Sequence, residues 1–232
     1  MAVVERLGRV IASRALSPSV QGLSLALPDT FSFKAGQWLY LHVPTAQGVE
    51  KRAYSIASGP EERPIELAVT RVAEGAVSPL LCALAPGAEL RVDGPHGFFT
   101  RDDRTAPVLL VGTGTGLSPL RSMLTELLAE PVHPPVTLLF GVRTQADILW
   151  RDQLEHWARE RGLRLEVTLS RPDATWTGRV GYVQNHVAEL ARALGEPHVY
   201  VCGLSPMVGA VRALCKGELG YDRKRIHSER YD

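Results

Sequence analysis

At 232 residues the chain has room for one large domain or two modest ones, each able to bury a core. A formal net charge of +1 and 45% hydrophobic residues are the balance of an ordinary soluble protein, and they predict no broad affinity for nucleic acid or anionic membrane. Apolar residues nowhere run long enough to span a bilayer, and Glu5, Arg6, Arg9 and Arg14 break up the first twenty residues, so no signal-peptide core is expected.

From Val3 to about Thr100, short alternating segments punctuated by Gly and Pro predict the strands of an antiparallel barrel or sandwich. The candidates are Gly8 to Ala15, Gly22 to Leu27, Gln37 to Val43, Ala53 to Ala57, Ile65 to Val72 and Glu89 to Asp93, with one helix from about Ser78 to Ala85 stopped by Pro86-Gly87. Within them, Lys51-Arg52-Ala53-Tyr54-Ser55 puts a cation, an aromatic ring and a hydroxyl on one extended segment. The polar stretch Arg101 to Pro107 marks a change of rhythm and divides the chain into 1–102 and 103–232. Beyond it, strands Val108 to Val111, Val136 to Val142, Leu165 to Leu169 and His198 to Cys202 alternate with helices Leu117 to Leu128, Ala146 to Arg161, Val183 to Leu194 and Met207 to Leu214. Such alternation needs crossover connections and predicts an open α/β domain on a parallel sheet.

Two loops have the composition to hold phosphate. Gly112-Thr113-Gly114-Thr115-Gly116, with Pro119 behind it, follows an apolar strand and opens a helix, where glycine lets the backbone approach an anion and the free helix-start amides favour it. It is neither Gly-x-Gly-x-x-Gly nor a P-loop. Gly75-Ala76-Val77-Ser78 is a shorter loop of the same kind, equally explained by a glycine turn with a serine helix cap. The three cysteines, Cys82, Cys202 and Cys215, are widely spaced, and neither they nor the seven histidines show metal-ligand spacing, so no metal, iron-sulfur cluster or attached haem is expected. Reduced thiols fit the cytoplasm.

Taken in order, Ala35-Gly36-Gln37, Arg52-x-Tyr54-Ser55, Gly75-x-x-Ser78, Gly94-Pro95-x-Gly97, the Gly112 to Pro119 loop and Cys202-Gly203 with Met207 resemble the ferredoxin-NADP reductase superfamily of flavoenzymes over nearly the whole chain. The resemblance implies an N-terminal antiparallel, flavin-binding β-barrel of Greek-key type and a Rossmann-like parallel-sheet nicotinamide-binding domain. In that family pattern Arg52 and the Gly75, Ala76, Val77, Ser78 loop take the pyrophosphate of FAD, Tyr54 stacks on the flavin ring and Ser55 bonds its edge. Gly112, Thr113, Gly114, Thr115, Gly116 and Pro119 take the nicotinamide dinucleotide, with Cys202 and Gly203 beside the nicotinamide. The ending Glu229-Arg230-Tyr231 looks like the family's carboxyl end, with Glu229 reaching the flavin and Tyr231 covering it. Asp232, one residue beyond the family's ending, leaves a cap and a loose terminus both open.

Ser170, Arg171, Arg179 and Tyr182 stand where NADP-using members hold the extra phosphate, and no acid replaces Ser170 or Arg171, so NADPH is favoured with NADH possible. Tyr54, Ser55, Cys202 and Glu229 are the expected catalytic residues. The activity implied is hydride exchange between NADPH and FAD, with single electrons passed to ferredoxin, flavodoxin or another small carrier. A reductase component of an oxygenase, a reductase of free flavin and a non-catalytic electron-relay subunit are the alternatives, and a monomer is compatible with the sequence.

Overall fold

Alternation of apolar and polar residues builds the first sheet. The computed structural model describes residues 5–231, so Asp232 lies outside the described residues. Strands β1 (Glu5–Ser17), β2 (Val20–Ala26), β3 (Trp38–Thr45), β4 (Gly48–Ser55), β5 (Ile65–Thr70) and β6 (Glu89–His96) form one antiparallel sheet in the order β4-β3-β6-β1-β2-β5. An isolated bridge from Ile56 to Leu67 brings the two edge strands together, which curls the sheet into a partly closed barrel. Leu39, Leu41 and Val43 point inward with Leu23, Leu25, Ile65 and Val92, while Trp38 and Tyr40 alternate outward. A short helix α1 (Ser78–Cys82) packs under this core.

The second sheet is parallel. Strands β7 (Val108–Thr113), β8 (Val136–Val142), β9 (Leu163–Leu169), β10 (Arg179–Val180), β11 (His198–Leu204) and β12 (Ile226–Tyr231) lie in the order β10-β9-β8-β7-β11-β12. Near-continuous burial of β7, β8 and β11 reflects helices on both faces: α2 (Leu117–Ala129), α3 (Arg151–Glu160), α4 (Val187–Leu194) and α5 (Ser205–Gly217). One core lies under α4 and α5. The other joins α2 and α3 to Val20, Ala35, Ala57, Ala68 and Phe99 of the barrel, so the two halves share apolar packing.

Several boundaries differ from those expected. β4 starts at Gly48 rather than Ala53, because a tight hairpin pairs Thr45 with Gly48. Helix α1 ends at Cys82 rather than Ala85, and the chain turns towards the Pro86-Gly87 corner. The predicted helix from Ala146 is a 3-10 turn, Gln145–Asp147, then α3 from Arg151, separated by Trp150 at φ 48°. β10 and β12 were not expected, since both are polar edge strands without an apolar run.

Candidate active site

The register of β4 sorts the first three candidate residues. Tyr54 pairs with Leu39 and Arg52 with Leu41, which puts these two on one face of β4, whereas Ser55 pairs with Trp38 on the other. Tyr54 is half-buried against the barrel core, and burial, followed by the nearby Cys82, pushes its phenol up to about 12. It is therefore a neutral ring over the working pH range. Arg52 is exposed; its Nη1 donates to the carbonyl of Lys51 at 2.9 Å and its Nη2 to Glu50. That strand-local pairing sits in solvent, where it costs little to exchange for a phosphate.

Parallel pairing of β12 beside β11 sets Glu229 next to Cys202 and Tyr231 next to Leu204. The fold carries the ends of β4 and β12 to one point: Ser55 Oγ donates to Glu229 Oε1 at 3.0 Å, and Tyr231 donates its hydroxyl to Ser55 Oγ at 2.6 Å. Burial raises the Glu229 carboxyl to about 7, against the opposing hydrogen bond from Ser55. The Cys202 thiol is pushed well above its usual range by burial and then by Glu229, and the Tyr231 phenol likewise by burial, then Cys202 and Glu229. Cys202 is thus a neutral wall and no thiolate nucleophile. Only Glu229 in this group exchanges a proton near neutrality.

Beside this constellation the glycine loops meet backbone to backbone. A Cβ on Gly116 would lie 2.4 Å from the Cys202 carbonyl oxygen. One on Gly203 would lie 2.4 Å from Thr113 Oγ1 and 2.6 Å from Met207 Cε, so only glycine allows this approach. Above Gly114, at φ 54°, a Cβ would meet nothing within 4 Å, which leaves an open cradle over the start of α2. That helix has no acidic residue in its first turn, and Pro119 sits there without forfeiting a needed amide. The Thr70 hydroxyl reaches Thr115 at 3.4 Å across the two sheets. In the shorter loop, Ser78 Oγ accepts from the Val72 amide at 3.0 Å and the Gly75 amide donates to Val72 at 2.9 Å, so the Gly75 to Ser78 turn is held by its own serine, with Val77 buried.

The four residues named for an extra phosphate separate into two groups. Ser170 and Arg171 follow β9, and the Arg171 amide donates to the Arg143 carbonyl at 2.8 Å, so the ends of β8 and β9 continue side by side. Arg143 and Arg171 are both exposed, and among the described residues neither guanidinium has a hydrogen-bond or ion-pair partner. Arg143 was missed in the sequence; the signal was a cation immediately after an apolar strand, the same placing that singled out Arg171. Arg179 is different. It donates to Glu166 at 2.8 Å and to both oxygens of Glu189 at 2.8 Å, and those carboxylates raise its pKa. Tyr182, 65% exposed, lies near the same edge.

These residues fit two dinucleotides. One wall offers an aromatic ring, an accessible guanidinium and a hydroxyl, the other an open amide cradle floored by glycine, and a near-neutral carboxyl stands between them.

Comparison with known proteins agrees with that fit. The family described as "Oxidoreductase FAD-binding domain" matches residues 8–100, and "Oxidoreductase NAD-binding domain" matches residues 110–213. The chain is 52% identical over 235 residues to Ferredoxin--NADP reductase B of Sorangium cellulosum, covering 97% of this chain and 96% of that protein. It is 32% identical to the Phenol hydroxylase P5 protein of Acinetobacter pittii, over 96% of this chain but 64% of that longer protein. Among solved structures, the ferredoxin reductase in carbazole 1,9a-dioxygenase superposes with a TM-score of 0.87 at 27% identity, covering 100% of this chain and 70% of that one.

Proposed function

Because this chain belongs to the ferredoxin-NADP reductase superfamily of FAD-dependent oxidoreductases, we propose that it moves hydride between NADPH and FAD and exchanges single electrons with ferredoxin, flavodoxin or another small carrier protein. Bound FAD supplies the conversion between the two-electron and one-electron steps, since it is stable at three oxidation levels. The protein's part is placement and proton supply.

The observation that carries this reading is the meeting of Ser55 with Glu229 and Tyr231 at the mouth of two distinct nucleotide cradles. In it, Arg52 leaves Glu50 for the FAD pyrophosphate, assisted by the amides of Gly75 to Ser78, and Tyr54 lies against the ring face. Glu229 stores a proton that the Ser55 hydroxyl can pass on. Tyr231 covers Ser55 from the opposite side. The loop from Gly112 to Gly116, with Pro119, takes the nicotinamide dinucleotide, and Cys202 and Gly203 border its reactive ring. Arg171 and Arg143, with Ser170, take the extra phosphate and Tyr182 the adenine edge, while Arg179 serves the fold through Glu166 and Glu189. The working division is 1–102 for FAD and 103–232 for the nicotinamide. Among the described residues no helix is long and apolar enough to cross a membrane, and with three unpaired cysteines the reading places the protein in the cytoplasm.

A second reading, the reductase component of an oxygenase, is favoured by the similarity to the phenol hydroxylase P5 protein and to the carbazole dioxygenase reductase. The visible spectrum of the purified protein, recorded before and after NADPH and then NADH, tests both. A yellow protein bleached at lower concentration by NADPH supports the leading reading. Bleaching chiefly by NADH transfers support to the oxygenase reductase, and a colourless protein removes both.

A further inference from the structure

Arg121 is a buried cation with no place in the constellation above. It lies on α2 one turn beyond the dinucleotide loop and is 6% exposed. Its Nη1 donates to the Ala57 carbonyl at 2.7 Å and lies 3.3 Å from Glu66 Oε2. Its Nε donates to Gln153 at 2.6 Å, and the guanidinium stands 4.8 Å over the Trp150 ring. Glu66, on β5 and 8% exposed, also accepts from Trp150 Nε1 at 3.1 Å and from Arg14 at 2.8 Å.

Burying such a pair is a poor way to gain stability, because desolvation offsets the attraction and apolar packing does as well. Trp150 adds to the cost by holding a left-handed φ of 48°, disfavoured for a bulky side chain, in the geometry that brings its indole N–H to Glu66. What the arrangement accomplishes is a connection. The Ala57 carbonyl is two residues beyond Ser55, and the same short segment is tied to the barrel by the Ala57 amide donating to the Glu66 carbonyl at 2.8 Å and the Glu66 amide donating to Ser58 Oγ at 3.0 Å. One guanidinium therefore joins the strand that carries Ser55 to the helix that carries the dinucleotide loop.

We propose that Arg121, braced by Glu66 and Trp150, is a positioning residue for hydride transfer: it fixes the separation of the flavin wall from the nicotinamide cradle. The proposal rests on the function given above. Hydride transfer tolerates little error in distance, so a misplacement of about an ångström costs on the order of a hundredfold in rate.

The test compares the wild type with Arg121→Gln, Arg121→Lys, Trp150→Phe and the double variant Arg121→Gln with Glu66→Gln, which leaves no unpaired buried charge. Amide hydrogen exchange of the peptide 53–59 is followed in FAD-free protein, and flavin reduction by NADPH in the holoenzyme by stopped flow, with NADP+ affinity measured separately. In the double variant, exchange in that peptide is expected to rise roughly tenfold, and reduction to slow by about tenfold or more at unchanged NADP+ affinity. Arg121→Lys recovers part of both. Trp150→Phe keeps an aromatic face but loses the indole donor with the pyrrole half of the ring, and is expected to raise exchange about threefold. Wild-type exchange at 53–59 in Trp150→Phe and in whichever Arg121 variants fold overturns the proposal. So does a wild-type reduction rate in an Arg121→Gln or double variant that holds FAD. Failure of NADPH to reduce the wild-type flavin overturns the proposed function instead, and the exchange measurement still judges the clamp.

Discussion

A carboxyl held near pH 7 beside a serine hydroxyl keeps a proton that the unfolded chain releases. Glu229 titrates at about 7 in the fold against an ordinary 4.5, so between those values the native state binds more protons than the unfolded one. Its contribution to stability is fully present below about 4.5 and is lost as pH rises through 7. Relative to Glu229→Gln, the wild type is expected to lose melting temperature between pH 5 and pH 8; a difference that stays flat over that range would show that Glu229 titrates normally. Arg52 governs a different quantity. Among the described residues its hydrogen-bond partners are Glu50 and the Lys51 carbonyl on its own strand, so Arg52→Ala should leave the fold intact. It should weaken FAD retention about tenfold or more, read as flavin lost on dilution through a sizing column, because a charge-assisted contact disappears. Equal retention would move the pyrophosphate elsewhere.

In the proposed function, two strand ends decide the choice of nicotinamide. Main-chain pairing carries Arg143 and Arg171 forward together beyond β8 and β9, and two exposed guanidiniums without a partner among the described residues suit a phosphate dianion. Arg143→Ala and Arg171→Ala are each expected to raise KM for NADPH roughly tenfold while leaving kcat and the NADH KM near wild type. Equal weakening of both nicotinamides would show that the two arginines touch something other than the extra phosphate. The same elements show where sequence reading succeeds and stops. The alternating strands and helices of the second half, and the glycine loops, are written in local patterns of period and composition, and apart from the later start of α3 the expected elements are found. β12 is hidden because Ile-His-Ser-Glu-Arg-Tyr is a half-exposed edge with no apolar run, although it carries both Glu229 and Tyr231. Arg179 looked like a free cation because nothing local reveals that Glu166 and Glu189 will close on it. The Ser55 to Glu229 contact spans 174 positions, and the family resemblance, which implies both residues at the flavin, does not pair them.

At the scale of the molecule, the halves are bound by more than a linker. Phe99, Ala57 and Val20 share one apolar cluster with Leu120, Met123 and Leu124 of α2, and the Arg121 clamp lies at its margin. An interface of this kind suppresses independent motion of the parts. FAD-free protein is expected to melt in a single calorimetric transition with equal van't Hoff and calorimetric enthalpies, and two resolved transitions would show that the halves fold separately.

The Arg121 clamp also has an optical consequence. Of the four tryptophans, Trp150 is the one that, among the described residues, donates its indole N–H to a carboxylate of the barrel while lying under a guanidinium. Its fluorescence is thus a native gauge of the seam between the two halves, isolated as the difference between wild-type and Trp150→Phe emission. Any ligand that draws the halves together or apart will register in that difference without a dye being attached.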